Sequence, residues 1–378
     1  MQQDKPFPNA RLTLRVKKNQ IPINNMKRLL LVLLPVTCLA IGLSTTSPQT
    51  TTSATAISRL DPLLDPILSV DAKLEVLKDD YFGSAEGPLW VSSGADGYLL
   101  FSDLAANSIY KWTPDGTLSV FLEKAGFTGT DASRVGRQRY NGRLTVIVLG
   151  SNGLTLDPQG RLLIAANGDR SIVRLEKSGA RVTLADRYQG KRFSGPNDLV
   201  AKSNGSIYFT DYYSGLRDGD SDPARELPYH GVFLIKDSQV LLLDKDPQGG
   251  LPNGITFSPD ERHLYVNSGN RFIVRYDVQS DDTITNGTVF IQMSGDAAGG
   301  ADGMKVDTRG NVFCTGPGGV WIISSDGKHI GTILVPESRT TTNLAFGDAD
   351  RKSLYITNRR SVFRIRVNTP GILPGPRQ

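Results

Sequence analysis

The feature of this chain that most restricts its fold is a unit that recurs six times after residue 70. Each copy begins with an acidic residue or an asparagine, continues as an apolar strand, makes a tight turn and enters a second apolar strand. Successive copies start 41 to 66 residues apart, which is the length of a four-stranded propeller blade, with inserted loops where the spacing is longer. One blade cannot bury both of its faces alone, so the repeat predicts an all-β fold, a six-bladed β-propeller of four-stranded antiparallel blades.

The residues that start the six units are Glu86, Asn152, Asn197, Asn253, Asp302 and Asn343. Most are followed by glycine, and an Asn-Gly or Asp-Gly pair in isolation is typical of a hairpin turn. In at least four copies, however, a separate turn begins five residues later, so the starting residue is not needed for that purpose. Rotational symmetry then predicts that these six residues, which we call the ring residues, lie at a similar height around the central channel.

The two ends of the repeat region indicate how the ring closes. Residues 74–77 precede the first unit and are expected to complete the sixth blade beside residues 362–365. The first unit is the longest, and its polar, glycine-containing segment 124–143 is interpreted as a loop over one mouth of the channel.

The ring residues would bring together two carboxylates and several amide oxygens, without a thiolate or an imidazole. Burying Glu86 and Asp302 together is costly unless a cation compensates their charge. Ligation by oxygen alone suits hard divalent cations such as Ca²⁺, Mg²⁺ or Mn²⁺. A histidine-based zinc site is not expected, because the three histidines lack any paired metal-binding spacing.

Charge and hydropathy divide the chain into two parts. Residues 1–58 hold seven basic side chains and one acidic side chain, whereas the formal net charge of the whole chain is +5, so the remainder is nearly neutral and nucleic acid is not expected as a partner. Lys27 and Arg28 precede an apolar run over residues 29–43 that fits the core of a signal peptide. We therefore predict a targeting segment with a Ser/Thr-rich linker over 1–58 and a six-bladed propeller domain over 59–378.

The predicted leader implies export to the periplasm or the extracellular space. Met26 is an alternative start that gives a compact Met-Lys-Arg leader, and an uncleaved signal anchor is the alternative to export. The mature domain is expected to be a monomer that does not bind membranes. It holds a single cysteine, Cys314, in a strand pattern, and this residue is predicted to be a buried small hydrophobe without a disulfide partner.

Four motifs resemble those of the gluconolactonase/regucalcin (SMP-30/gluconolactonase/LRE-like) family of calcium-dependent propeller lactonases. They are Ala85-Glu86-Gly87-Pro88-Leu89-Trp90, Ser194-Gly195-Pro196-Asn197-Asp198, Pro252-Asn253-Gly254-Ile255 and Ala301-Asp302-Gly303-Met304. The resemblance implies that Glu86, Asn197, Asn253 and Asp302 are the metal ligands and that Asp302 is also the general base. Asn152 is placed in the substrate pocket and Asn343 is left as a structural residue.

The function that this resemblance implies is hydrolysis of a small-molecule lactone. A divalent cation, Ca²⁺ before Mg²⁺, Mn²⁺ or Zn²⁺, would act as the Lewis acid. Tyr212, Tyr213, Phe127 and Tyr140 are candidates for shaping the pocket. Gly195 stands where regucalcin-type members carry an arginine, which puts sugar-lactone specificity in doubt. Two alternatives stay open: a phosphotriesterase-like hydrolase on the same site, and a non-catalytic binding scaffold with a structural ion.

Overall fold

The structure, a computed structural model, describes residues 56–93, 96–269, 271–336 and 340–375. The predicted signal peptide and nearly all of the linker lie outside these residues. Within them, none of the helices has the length and hydrophobicity that a membrane span requires.

Six antiparallel sheets of four or more strands form the blades, which confirms the predicted fold class. The strands of blades one to three, from the channel outwards, are Ala85–Ser93, Asp96–Asp103, Ser108–Trp112 and Leu118–Glu123; Ser151–Leu156, Leu162–Ala166, Ser171–Leu175 and Arg181–Ala185; and Pro196–Ala201, Ile207–Asp211, Gly231–Lys236 and Gln239–Lys245. Those of blades four to six are Pro252–Phe257, His263–Ser268, Phe272–Val278 and Ile284–Gln292; Met304–Val306, Val312–Gly316, Gly319–Ile323 and His329–Leu334; and Thr341–Gly347, Ser353–Asn358, Val362–Arg366 and Glu75–Lys78.

The remaining elements are short. Two small hairpins pair Arg137–Tyr140 with Thr145–Val148 and Arg187–Tyr188 with Lys191–Arg192. Four single-turn 3₁₀ helices cover Pro62–Leu64, Tyr213–Gly215, Gly219–Ser221 and Pro247–Gly249.

Strands from before the first blade complete the last two blades. Glu75–Lys78 pairs antiparallel with Val362–Arg366, with Glu75 opposite Arg364, which confirms the predicted closure of the sixth blade. Ile57–Arg59 adds a fifth, outermost strand to blade five by pairing with His329–Leu334. The boundary predicted between residues 58 and 59 falls inside this strand.

Burial within each blade decreases from the channel towards the outside. Every residue of Leu162–Ala166, a second strand, is buried, whereas Leu118–Glu123, an outermost strand, contains no buried residue. The inner strands are sandwiched between neighbouring blades, so their sequences are continuous apolar runs rather than alternating ones. Cys314 lies on such a strand and is fully buried, as predicted, and this burial raises the pKa of its thiol to about 12.

The innermost strands share an irregularity at the ring residues. Pairing with the second strand shifts register just after Glu86, around Asn197 and Asn253, and just before Asn343. Blade two has the corresponding shift opposite Asn152. A β-bulge changes the direction of the side chains beside it. The same irregularity in five blades therefore means that the ring residues do not follow the regular alternation of side chains along a strand.

The two ends of the central channel differ in chemistry. The ring residues mark the end where the innermost strands begin, which we call the polar end. At the other end, which we call the apolar end, a cavity of about 90 Å³ is lined by residues such as Leu154, Leu199 and Ile255. The segment 370–375 crosses this apolar end, where Ile372 N donates to the carbonyl of Val306 at 3.0 Å.

Candidate active site

A cavity of about 390 Å³ opens at the polar end of the channel. Asn253 and Asp302 are the two ring residues that line it, together with backbone and side chains from several blades. Its other functional side chains are Tyr212 and three arginines, Arg137, Arg139 and Arg359. The cavity therefore combines one accessible carboxylate, an amide, a phenol and three guanidinium groups.

The glycines that follow four ring residues are required by close approach of the blades. A Cβ on Gly87 or Gly254 would lie 2.1 Å from the carbonyl oxygen of Asn152 or 2.0 Å from that of Asp302, respectively. Of the four, only Gly87 has a positive φ, +50°. The Asn-Gly and Asp-Gly pairs are thus not hairpin turns, because the innermost strands meet at the axis with no room for a side chain at this position.

The backbone of Asp302 is held from three sides. Its N–H donates to Thr315 Oγ1 at 2.9 Å, and its carbonyl accepts from Gly254 N at 3.0 Å and from Asn267 Nδ2. Thr315 and Asn267 lie on the second strands of blades five and four. Because blade five itself and the neighbouring blade four supply these contacts, the position of the Asp302 backbone is fixed by the packing of the ring.

The two ring carboxylates destabilise each other's charged form. Glu86 is 2% exposed, and burial followed by the charge of Asp302 raises its pKa well above the ordinary value. Burial likewise raises the pKa of Asp302 to about 7, although Arg139 opposes this shift. One buried and one half-buried carboxylate with raised pKa values form a site that favours a compensating positive charge.

A third carboxylate, which sequence reasoning missed as a functional group, lies beneath this pair. Asp198 is 2% exposed and occupies, in blade three, the position that glycine holds in four other blades. It accepts hydrogen bonds from Leu199 N at 2.9 Å and from Asn343 Nδ2 at 3.4 Å. Its charge contributes to the raised pKa of both ring carboxylates. The departure from glycine within the quoted blade-three motif was the available signal.

The donor set fits a cation that accepts amide as well as carboxylate oxygens. The Oδ1 atom of Asn253 is buried and has no hydrogen-bond partner, which leaves an oxygen lone pair free beside Asp302. Among the described residues, no group of three or more His, Cys, Asp or Glu side chains could hold a metal ion. A site built from Glu86 and Asp302 therefore needs amide oxygens to complete its coordination, and hard cations such as Ca²⁺ accept them.

The remaining predicted site residues are buried on the ring. Asn197 and Asn152 are each 3% exposed and do not line the cavity. Asn152 contributes its carbonyl oxygen to a contact between blades, accepting from Ser102 Oγ at 2.8 Å. The assignment of Asn197 as a metal ligand and of Asn152 as a substrate residue stays a prediction.

The pocket-shaping candidates divide into two pairs. Tyr212 and Tyr213 line the cavity, and burial raises the pKa of Tyr212 to about 12, so its hydroxyl keeps its proton at neutral pH. Phe127 and Tyr140 do not line it, although the Tyr140 carbonyl accepts a hydrogen bond from Arg359. His230 is also outside the cavity lining, where its Nε2 lies 3.1 Å from Asp220 Oδ1.

The arginines of the cavity were not predicted as site residues. Arg137 and Arg139 lie on the hairpin inserted after blade one, and Arg359 lies in the loop after Ser353–Asn358. The inserted segment was expected to cover one mouth of the channel, and this is confirmed. The six-fold alignment could not identify its side chains as site residues, because the inserted segment has no counterpart in the other blades.

Comparison with known proteins agrees with this fold. A gluconolactonase from Zymomonas mobilis subsp. mobilis is 36% identical over 327 residues, which cover 83% of this chain and 87% of that protein. A solved gluconolactonase from Xanthomonas campestris superposes with a TM-score of 0.67 at 28% identity, covering 83% of this chain and 96% of that one. The calcium-binding protein regucalcin from Agrobacterium tumefaciens shares the fold, with a TM-score of 0.61 at 18% identity, covering 81% of this chain and 98% of that one.

The resemblance inferred from the four motifs is confirmed at the level of the family. The family model described as the SMP-30/gluconolactonase/LRE-like region matches residues 84–360, which include all six ring residues. This protein therefore belongs to the SMP-30/gluconolactonase/LRE-like family.

Proposed function

We propose that the protein is a lactonase, a hydrolase that opens the ring of a small-molecule lactone at the polar end of the channel. The observation that carries the proposal is the pairing of the buried Glu86 with the half-buried Asp302, beside the unpartnered Asn253 Oδ1, at a cavity of about 390 Å³. The 36% identity to a gluconolactonase across most of both chains supports the same activity.

The ligands proposed for the cation are Glu86, Asn197, Asn253 and Asp302, and Ca²⁺ is the ion best matched to oxygen donors of this mixed kind. A divalent cation held there supplies Lewis-acid stabilisation for the carbonyl oxygen that gains negative charge during ring opening. Glu86 is the deeper of the two carboxylates and does not line the cavity, which suits a ligand that water and substrate do not reach.

Asp302 is proposed as the general base because it is the one of the two carboxylates that lines the cavity. It takes a proton from the attacking water as the water oxygen bonds to the lactone carbonyl carbon. The bond from that carbon to the ring oxygen then breaks, and the ring oxygen leaves as a hydroxyl by accepting from Asp302 the proton that came from the water. The product is the open hydroxy acid, so one water is consumed and no other co-reactant is needed.

The decisive experiment measures ring opening by the purified protein after chelation and re-addition of Ca²⁺, Mg²⁺, Mn²⁺ or Zn²⁺. The substrates are aldonolactones, acyl lactones and a phosphotriester. We expect metal-dependent hydrolysis of a lactone, with Asp302→Asn lowering kcat by about 10²–10⁴-fold because the general base is lost. Asp296→Asn is the matched control, since Asp296 is exposed on the loop that leads to Asp302 and does not line the cavity.

Each alternative has its own outcome in this experiment. Turnover of the phosphotriester but of no lactone would identify a phosphotriesterase-like hydrolase that uses the same site. Absence of turnover with every ion, together with metal binding that raises Tm, would identify a scaffold with a structural ion.

A further inference from the structure

Three guanidinium groups converge on the cavity above Asp302 from two separate segments of the chain. Arg137 and Arg139 are on the strand Arg137–Tyr140 of the inserted hairpin, and Arg359 follows the second strand of blade six. Positive charges repel one another, so their convergence in one cavity is unfavourable unless negative charge is present.

Each arginine is fixed in place without being neutralised. Arg137 lies over the Tyr213 ring, with 4.7 Å from the guanidinium carbon to the ring centroid, and the side chain of Arg139 is hydrogen-bonded to Tyr212. Arg359 donates from Nη1 to a carbonyl oxygen, while its Nε is buried and has no hydrogen-bond partner. In the described ranges, no ion pair within 4.0 Å joins any of the three to a carboxylate.

The ring carboxylates do not neutralise these arginines through ion pairs. Arg139 lowers the pKa of both Glu86 and Asp302 through its charge, but it lies beyond ion-pair distance from either. A cation bound by these carboxylates would compensate their charge, and the three guanidinium groups would then leave the cavity with a positive excess. That excess, together with the unpartnered Nε of Arg359, indicates that an anion completes the site.

We infer that Arg137, Arg139 and Arg359 form a subsite for an anionic substituent of the substrate, a carboxylate, phosphate or sulfonate carried by the lactone away from its ring carbonyl. Guanidinium groups suit this role because their planar array of N–H donors matches the oxygens of such groups. The inference rests on the proposed function, since it names the class of lactone that the same site would accept.

A competing role for these arginines is stabilisation of the negative charge that develops on the carbonyl oxygen. That role would act on every lactone equally, because all of them develop the same charge. A subsite for a substituent acts only on lactones that carry the anion. Comparing a neutral with an anionic lactone therefore separates the two roles.

The kinetic experiment compares D-glucono-1,5-lactone with 6-phosphogluconolactone and D-glucaro-1,4-lactone, which carry a phosphate and a carboxylate. For Arg359→Gln and Arg139→Gln, we expect kcat/KM to fall about 10–100-fold more on an anionic lactone than on the neutral one, because only the anionic lactone loses a charge-assisted hydrogen bond. A loss on the neutral lactone is common to all of these substrates and reports the effect of the removed charge on Asp302, so the ratio of the two losses is the quantity that tests the subsite. Arg360→Gln is the matched control, because Arg360 is the neighbouring residue and pairs with Asp80 at 2.9 Å, outside the cavity.

A binding experiment without turnover gives an independent readout. Inorganic phosphate and 6-phosphogluconate are titrated into the chelator-treated and the Ca²⁺-loaded protein while Tm is measured. We expect either anion to raise the Tm of the wild type and of Arg360→Gln but not that of Arg359→Gln, with the larger rise in the Ca²⁺-loaded protein.

Equal losses on neutral and anionic lactones, or an anion-induced Tm rise that survives Arg359→Gln, would overturn the subsite. If no lactone is hydrolysed at all, the proposed function fails. The binding experiment then still decides whether the arginines bind an anion.

Discussion

The two ends of the central channel are built from the same six strands but have opposite energetic characters. At the polar end, Glu86 is buried and Asp302 is half-buried, and both have raised pKa values, so their partial or full removal from water opposes folding. At the apolar end, Leu199 and Ile255 are buried against neighbouring blades and favour folding. The difference indicates that the apolar end stabilises the ring and thereby keeps unfavourable charges at the polar end, where chemistry needs them.

The largest effect on stability is expected at the apolar end. Ile255 is 1% exposed and lines the apolar cavity, so Ile255→Ala should reduce the free energy of unfolding by about 2–5 kcal/mol. Urea denaturation measures this loss. The KM of the folded variant should stay within about twofold of the wild type, and a large change in KM would show that the two ends are not independent.

At the polar end, a substitution is expected to increase the stability of the metal-free protein rather than decrease it. Asp302→Asn removes a half-buried charge and keeps the shape of the side chain, so it should raise the free energy of unfolding in chelator at pH 8 by roughly 1–4 kcal/mol. Denaturation in EDTA measures the gain. Adding Ca²⁺ should favour the wild type over the variant, and a variant that is less stable than the wild type in EDTA would contradict the proposed energetic role of this residue.

The same carboxylates make the metal-free protein sensitive to pH. A raised pKa means that the folded state binds more protons than the unfolded state between about pH 4 and the folded pKa, which is about 7 for Asp302. Stability is therefore present below pH 4 and is lost as the pH rises through this window. In EDTA, Tm should fall more steeply between pH 5 and 7.5 for the wild type than for Asp302→Asn, and parallel curves would refute the assignment.

The smallest effect is expected on the surface of the closing strand. Glu75 Oε2 and Arg364 Nη2 lie 2.7 Å apart where the first and last strands of blade six meet, and both side chains are partly exposed. Glu75→Gln should lower stability by about 0.2–1 kcal/mol, because solvent screens such a pair. High salt should abolish the difference, whereas a salt-independent loss would mean that backbone pairing rather than charge had been disturbed.

The elements that the repeat encodes could be predicted from the sequence. The blade count, ring closure through residues 74–77 (observed as Glu75–Lys78) and the common position of the ring residues all follow from the six-fold alignment, because symmetry relates sequence spacing to spatial position. The presence of Asp302 and Asn253 at the cavity followed from the same argument.

The parts of the site that break the symmetry could not be predicted in this way. Arg139 is brought to the cavity by an insertion that has no equivalent in other blades, and Arg359 by a loop between strands. The role of the glycines that follow four ring residues was not predicted either, because their close approach to other backbone depends on how neighbouring blades pack. A repeat in the sequence reveals positions that are equivalent in all six blades, whereas the pocket is formed largely by residues that have no equivalent in the other blades.

The strand Glu75–Lys78 has a consequence for the order of folding. Its partner, Val362–Arg366, is nearly the last strand to be synthesised, so the contact between Glu75 and Arg364 closes a loop of almost the whole domain. Contacts this distant in sequence form slowly. Until they form, blade six lacks its outermost strand and leaves an unpaired β-edge that invites association with other chains. Aggregation during refolding should therefore depend on how quickly Glu75–Lys78 pairs with Val362–Arg366.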